Sequence, residues 1–121
     1  VFLQLRSQSK DNHPGVWDTS CSGHVDAGES YAVAAERELM EEIGLLVEEL
    51  LEELFKLEAH PENGMEFVTV FMTDSEGPFE LNAEEIDDGR WATPTEIQTA
   101  LITEPEKYSP TFRMIWERLA P

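Results

Sequence analysis

The spacing of apolar residues along the chain predicts five short strands. Alternation of apolar and polar side chains is typical of a half-buried strand, and β-branched and aromatic residues favour strands in general. Leu45 to His60 is ambiguous, because its leucines recur with a helical period while its second half alternates, and there we expect a strand. The predicted strands are Val1 to Arg6, Val16 to Asp18, Phe55 to Ala59, Glu66 to Met72 and Arg90 to Ala92.

The longest predicted helix follows a glycine-rich turn and extends from Ser30 to Ile43. Serine caps helix N-termini, and Gly44 stands where a helix can end in a left-handed conformation. Apolar residues recur every four positions, so the helix has a stripe that can pack on a sheet. The stripe consists of Tyr31, Ala35, Leu39 and Ile43.

Two further helices are predicted near the C-terminal end of the chain. Thr93 has the chemistry of an N-cap, and Glu96 stands where a capping box needs an acid, so a helix is expected from Pro94 to about Leu101. A final helix is expected from Pro110 to Leu119. Phe79 to Asp88, which precedes the last predicted strand, is interpreted as an acidic connection.

The composition bounds the class of protein. A chain of 121 residues suffices for one domain with a core, so residues 1–121 are expected to form a single domain that can lack an N-terminal strand, because Val1 already lies in a strand-like run. The 26 acidic and 8 basic residues give a net charge of −18, which argues against nucleic acid or an anionic membrane as a partner. This excess suits either an acidic surface or binding of divalent cations.

The lone cysteine, Cys21, has no partner for an internal disulfide, and no apolar run is long enough for a membrane helix. We therefore expect a cytoplasmic protein.

The residues with the strongest chemical indication lie between Gly23 and Leu45, in the run GHVDAGESYAVAAERELMEEIGL. On a helix, Glu38, Glu41 and Glu42 are separated by three and four positions and project from one face. Three carboxylates on one face repel each other when nothing lies between them. This arrangement predicts a bound cation.

Gly23 to Leu45 resembles the Nudix box and matches all the fixed positions of that 23-residue motif without a gap. The order of the flanking segments is also similar to that of Nudix domains. The resemblance implies an α/β fold in which a mixed β-sheet is sandwiched between α-helices (α/β/α). It also implies that the box holds Mg²⁺ or Mn²⁺ against a diphosphate. Carboxylates are hard oxygen ligands that suit either ion.

The resemblance also implies roles for individual residues. Metal ligands are expected among the box glutamates, with Glu85 and His24 as weaker candidates, and the carbonyl of Ser22 or Gly23 can complete the set. Glu38, Glu42 and Arg37 are the expected catalytic residues, and Glu38 is the candidate base, although some members recruit a glutamate outside the box. Arg37 and Glu29 are expected to pair with each other and with neighbouring box carboxylates, and so to hold the loop against the helix. The residues implied are Glu38, Glu41 and Glu42 as ligands, Arg37 and Glu29 as supporting residues, and Gly23, Gly28 and Gly44 for backbone geometry.

The segment before the box also resembles that of isopentenyl-diphosphate isomerases, which share the Nudix fold and use a cysteine as acid or base and a histidine as metal ligand. His24 matches the ligand position. The position of the catalytic cysteine is occupied by Ser22, and Cys21 lies one residue earlier. On a strand, a shift of one residue turns the side chain to the opposite face, so we interpret Cys21 as a small buried residue.

The prediction is therefore a metal-dependent hydrolase that cleaves a diphosphate linkage in a nucleoside-diphosphate derivative or similar small molecule with activated water. Arg6, Lys10 and Trp17 are candidate substrate contacts. Two alternatives stay open, an isomerase of the kind just described and a Nudix domain that senses a nucleotide without turnover. The oligomeric state is open, with a homodimer as one candidate.

Overall fold

The computed structural model describes residues 1–10, 13–23, 25–49, 51–61 and 67–119. The elements occur in the order strand, strand, helix, three strands, helix, 3₁₀ turn and helix. Their bounds are β1 Phe2–Arg6, β2 Trp17–Asp18, α1 Tyr31–Ile43, β3 Glu52–Leu57, β4 Val68–Met72, β5 Ile86–Trp91, α2 Pro94–Thr103, the 3₁₀ turn Pro105–Lys107 and α3 Pro110–Leu119. The chain divides into two compact units, one of Val1–Ser20 with Leu81–Pro121 and one of Cys21–Glu80.

The first unit contains a three-stranded antiparallel sheet in the order β2, β1, β5. Leu3 of β1 is fully buried and belongs to a core cluster with residues of α2 and α3. Aromatic side chains dominate this cluster, and the ring of Phe112 stacks on that of Trp116 with centroids 6.2 Å apart. The cluster consists of Leu3, Ala92, Ile97, Tyr108, Phe112 and Trp116.

Helix α2 begins as its sequence predicts. The Thr93 side chain accepts a hydrogen bond from the Glu96 N–H at 3.1 Å, and the Glu96 carboxylate accepts one from the Thr93 N–H at 3.0 Å. This reciprocal pair is a capping box, and its hydrogen bonds lower the pKa of Glu96. The helix continues to Thr103, two residues beyond the predicted end.

The second unit contains α1 and the antiparallel pair β3 and β4, which has a register irregularity between Glu53 and Phe55. Strand β3 begins at Glu52, earlier than the predicted Phe55. The predicted start of β4, Glu66, lies outside the described residues.

Two predictions about the elements need correction. The connection predicted over Phe79 to Asp88 contains the start of β5, because Ile86 pairs with Arg6 and Asp88 with Leu5 of β1. Pairing with a neighbouring strand outweighs the poor strand propensity of aspartate.

The stripe predicted on α1 is also shifted. Tyr31 is 45% exposed, whereas Ala34, Leu39, Ile43 and the carboxylate residue Glu42 are buried. Tyr31 lies in the first turn of the helix, and an acidic residue occupies the buried face near its other end. No helix in the described part of the chain is long and apolar enough to cross a membrane.

Candidate active site

A tight turn between Asp26 and Glu29 precedes α1. The carbonyl of Asp26 accepts a hydrogen bond from the Glu29 N–H at 3.0 Å, and Gly28 between them has a φ of +84°. A positive φ at this position of a turn favours glycine. The carboxylate of Glu29 accepts a second hydrogen bond, at 2.9 Å, from the Asp26 N–H. The turn therefore fixes the Glu29 carboxylate close to the start of the helix.

Both ends of α1 are capped by the residues that the sequence predicts. The Ser30 hydroxyl accepts a hydrogen bond from the Val33 N–H at 3.2 Å. At the other end, Gly44 adopts a left-handed conformation with a φ of +68°, and its N–H donates to the Met40 carbonyl at 3.1 Å. The caps fix the extent of the helix. They thereby fix the directions in which its glutamates project.

Among the residues that the structure describes, four carboxylates contact Arg37, and we call Arg37 together with Asp26, Glu29, Glu38 and Glu41 the Arg37 cluster. Its Nε and Nη2 donate to the two oxygens of Glu29 at 2.8 and 2.9 Å, which is a bidentate pair. Its Nη1 donates to Glu38 Oε1 at 2.8 Å and to Glu41 Oε2 at 3.1 Å. Asp26 Oδ2 lies 3.4 Å from Nη2. One guanidinium thus joins the turn before α1 to two of the three box glutamates.

The charges of the Arg37 cluster stabilise one another. The hydrogen bonds from Arg37 hold the pKa of Glu29 below its usual range, and those same bonds with Glu29 raise the pKa of Arg37. The side chains of Glu29, Glu38 and Arg37 are 17%, 18% and 27% exposed. Partial removal from water makes these ion pairs stronger than pairs that are fully solvated.

Glu38 packs over the backbone of Gly23. A Cβ placed on Gly23 would lie 2.2 Å from Cδ of Glu38 and 2.5 Å from its Oε1. Any other residue at this position would push the Glu38 side chain away. The absence of a side chain at Gly23 is therefore required for the observed position of the Glu38 carboxylate.

Glu42 is 5% exposed, and its Oε2 accepts a hydrogen bond from the Cys21 thiol at 3.2 Å. Burial, and next the negative charge of Glu42, raise the pKa of Cys21. The prediction that the Cys21 side chain faces away is not met, because residues 21–23 form no strand and the alternation of faces does not apply to them. Cys21 is half-buried, and its thiol is a hydrogen-bond donor to a box glutamate.

The suitability of these residues for a metal ion depends on their donor chemistry and their present contacts. Among the residues that the structure describes, no three His, Cys, Asp or Glu side chains are arranged to hold a metal. Glu38 and Glu41 are instead turned toward Arg37. Three carboxylates on one face of a capped helix nevertheless fit a hard divalent cation as a donor set. His24, a weaker candidate ligand, lies outside the described residues.

The remaining predicted residues lie in the other compact unit. Arg6 Nε donates to the His13 carbonyl at 3.2 Å, and its Nη1 lies 3.8 Å from the buried carboxylate of Asp18. Lys10 forms an ion pair with Glu85. The charges of Arg6, Lys10 and Glu85 are therefore each engaged within this unit. Their roles in substrate or metal binding stay predictions.

Trp17 lines an open groove of about 530 Å³ in the same unit. The guanidinium of Arg90 lies 4.7 Å from the centroid of the Trp17 ring and also donates to the Tyr108 hydroxyl at 2.9 Å. One face of the ring is therefore covered by a cation. The local sequence around Arg90 and Tyr108 does not indicate this contact, because the pairing of β5 with β1 and the close approach of residue 108 to β2 bring them to Trp17.

Several known proteins and one family model are similar to this chain. The family model described as the NUDIX domain matches residues 1–113. An uncharacterized Nudix hydrolase of Yersinia pestis is 39% identical over 100 residues, which are 80% of this chain and 53% of that protein. Isopentenyl-diphosphate Delta-isomerase 2 of Aromatoleum aromaticum is 33% identical over 114 residues, which are 90% of this chain and 59% of that protein. The chain thus spans little more than half the length of these relatives.

The fold is also similar to that of a solved structure. The crystal structure of DR0079 from Deinococcus radiodurans matches with a TM-score of 0.87, covering 99% of this chain and 74% of the other at 24% identity. This similarity concerns the fold alone. It confirms the predicted α/β class.

Proposed function

Because the chain belongs to the Nudix family, we propose that it hydrolyses a diphosphate linkage in a small molecule with the help of a divalent cation. The observation that carries this proposal is the set of glutamates on α1, with Arg37 bonded to Glu38 and Glu41 and with Glu42 buried beside them. The family generally uses divalent metal ions. Mg²⁺ is the ion we propose first, with Mn²⁺ as its substitute.

The proposed ligands are Glu38, Glu41 and Glu42. A bound divalent cation would neutralise the diphosphate and make water a stronger nucleophile near neutral pH. The protein contributes orientation: the bidentate bond between Arg37 and Glu29 holds the preceding turn against α1, and Gly23 leaves room for the Glu38 carboxylate. Glu38 is the candidate base, because its side chain is held by Arg37 and packs over the loop before the helix.

The substrate class that we propose is a nucleoside-diphosphate derivative. The net charge of −18 disfavours a polyanion such as nucleic acid and makes the cation necessary for an anionic substrate to approach the box. Arg6, Lys10, Trp17 and Glu85 are retained as candidates for contacts outside the box. A cytoplasmic location is part of the same proposal.

A second candidate function is isomerisation of an allylic or homoallylic diphosphate. It is favoured by the hydrogen bond from the Cys21 thiol to Glu42, and by the similarity to an isopentenyl-diphosphate isomerase over 90% of this chain. The raised pKa keeps the Cys21 thiol protonated, so it carries the proton that such an acid would need, although it also makes the thiol a weak acid. Hydrolysis is preferred because the box glutamates are complete.

A screen of nucleoside-diphosphate derivatives and isopentenyl diphosphate, with Mg²⁺ or Mn²⁺, tests the proposal. Phosphate or nucleotide products should form, and turnover should fall at least 100-fold in Glu38→Gln and in Glu42→Gln. Glu36→Gln is the matched control, since Glu36 lies on the same helix and has no ion pair among the described residues.

The Cys21→Ala variant separates the two chemistries. Hydrolysis should survive this change, whereas isomerisation that depends on the thiol should not. Tight nucleotide binding without any turnover would instead indicate a sensor and would overturn the proposal.

A further inference from the structure

We infer that Arg37 lowers the affinity of the box for divalent cations, because its guanidinium competes for the oxygens of Glu38 and Glu41. The inference rests on the proposed function, since it concerns the same carboxylates. It gives Arg37 a role beyond holding the preceding turn: this residue would set the concentration of cation that the site needs.

The contacts of the guanidinium with described carboxylates fall into two sets. One edge, formed by Nε and Nη2, is occupied by both oxygens of Glu29. The remaining nitrogen, Nη1, donates to Glu38 Oε1 and to Glu41 Oε2. The first edge can hold Arg37 in place while the bonds of Nη1 break. Attachment to the turn and engagement of the box glutamates are therefore separable.

The second set of contacts uses the atoms that a cation would need. Glu38 Oε1 and Glu41 Oε2 lie 2.8 and 3.1 Å from Nη1, and the positive charge of Arg37 already offsets part of the negative charge of the carboxylates around it before any cation arrives. A divalent ion on the same oxygens would face the guanidinium at short range, and like charges at such a distance repel strongly in a partly dry environment. Binding through these two oxygens would therefore require Glu38 and Glu41 to turn from Arg37 toward the ion.

The competing explanation is that Arg37 only positions the loop. The two explanations predict different Mn²⁺ affinities for two variants. Arg37→Gln removes the competing charge, so the Kd for Mn²⁺ should fall about fivefold if Arg37 competes. Glu29→Gln removes only the anchor and leaves the charge of Arg37 with Glu38 and Glu41, so the Kd should stay unchanged or rise. If Arg37 only positions the loop, both variants should weaken binding alike.

The experiment is calorimetric titration of the protein with Mn²⁺ in the absence of substrate. Lys56→Gln on β3 is the matched control, because it changes the net charge by the same amount and should leave the Kd within twofold of the wild type. Circular dichroism verifies that each variant is folded. Equal or weaker binding by Arg37→Gln, with a normal spectrum, overturns the inference.

A measurement on the wild type tests the inference without depending on whether the variants fold. In ¹⁵N spectra of the arginine side chains, saturation with Mg²⁺ should leave the Arg37 Nε–H signal in place, since Glu29 still binds it, and should shift or broaden the Nη signals. Unchanged Nη signals at saturation contradict the competition.

Failure of the inference is distinguishable from failure of the proposed function. If the wild type binds Mn²⁺ and Glu42→Gln does not, the metal site stands whatever Arg37 does. If the wild type itself binds no Mn²⁺ at millimolar concentration, both the metal site and the competition are wrong.

Discussion

Gly44 ends α1 two residues after Glu42, and replacing it by alanine tests how strongly the box depends on this cap. Gly44 has a φ of +68°, a conformation that costs an L-residue about 1–2 kcal/mol. A Cβ at this position would also lie 3.1 Å from Cβ of Glu80 and 3.4 Å from its carbonyl oxygen. These are atoms near the backbone, which cannot yield as the end of a flexible side chain can.

The cost of backbone strain and the cost of the contact with Glu80 can be separated with a matched glycine in the same unit. Gly28 has a φ of +84°, yet a Cβ on it would meet nothing within 4 Å. Gly28→Ala should therefore cost only the backbone strain, about 1.5 kcal/mol. Gly44→Ala should cost that strain plus about 1 kcal/mol for displacing Glu80, a typical energy of a strained side chain.

The measurement is urea and thermal unfolding followed by circular dichroism. For a chain of this length the expected fall in Tm is about 6 °C for Gly28→Ala and about 10 °C for Gly44→Ala. Gly44→Asn is informative as a third variant, because asparagine tolerates the left-handed region but keeps the Cβ that meets Glu80. Equal losses for the two alanine variants would refute the contact with Glu80, and no loss in either would refute the requirement for positive φ.

Two further predictions follow from the buried ionisable groups. Because burial and Glu42 raise the pKa of Cys21, its thiol should react with a disulfide reagent at pH 8 at least about 100-fold more slowly than free cysteine, and urea should restore the rate; fast labelling of the native protein would contradict the burial. Burial likewise raises the pKa of Asp18, despite hydrogen bonds from Thr19 and Ser109 and the nearby Arg6. When folding raises the pKa of a carboxyl, the folded protein loses stability as the pH rises above the pKa that the group has in the unfolded chain. The stability of Asp18→Asn relative to wild type, measured by urea unfolding, should therefore increase from about pH 3 to about pH 7. A stability difference that is constant with pH would contradict this.

The parts of the structure that follow from local chemistry were predicted closely. Ser30 and Gly44 bound α1 because a hydroxyl N-cap and a left-handed glycine act within one turn of the helix. Thr93 and Glu96 begin α2 for the same kind of reason. Such signals need no information about distant residues.

The parts that depend on distant residues were not predicted. Strand β5 begins at Ile86 because Ile86 pairs with Arg6 and Asp88 pairs with Leu5 of β1, although aspartate has poor strand propensity. The placement of Arg90 over Trp17 depends on the same pairing. Within the box, spacing predicted that Glu38, Glu41 and Glu42 share a face, and the family resemblance implied that Arg37 pairs with neighbouring carboxylates, but neither indicated which of their oxygens it contacts.

The contact between Cys21 and Glu42 affects both candidate chemistries, because it involves a carboxylate that each of them would use. The thiol donates to Oε2 of Glu42, and a carboxylate has about four acceptor sites on its two oxygens, so this one contact does not exhaust its capacity to bind a cation. The raised pKa keeps Cys21 as a thiol, which suits a hydrogen-bond donor and not a nucleophile. Cys21 is thus compatible with metal binding by Glu42, and it can orient that carboxylate in a hydrolase without entering the reaction. An isomerase, by contrast, would need the proton of this thiol to move. The contact alone therefore does not decide between the two functions, and the dependence of turnover on the proton of the thiol is what distinguishes them.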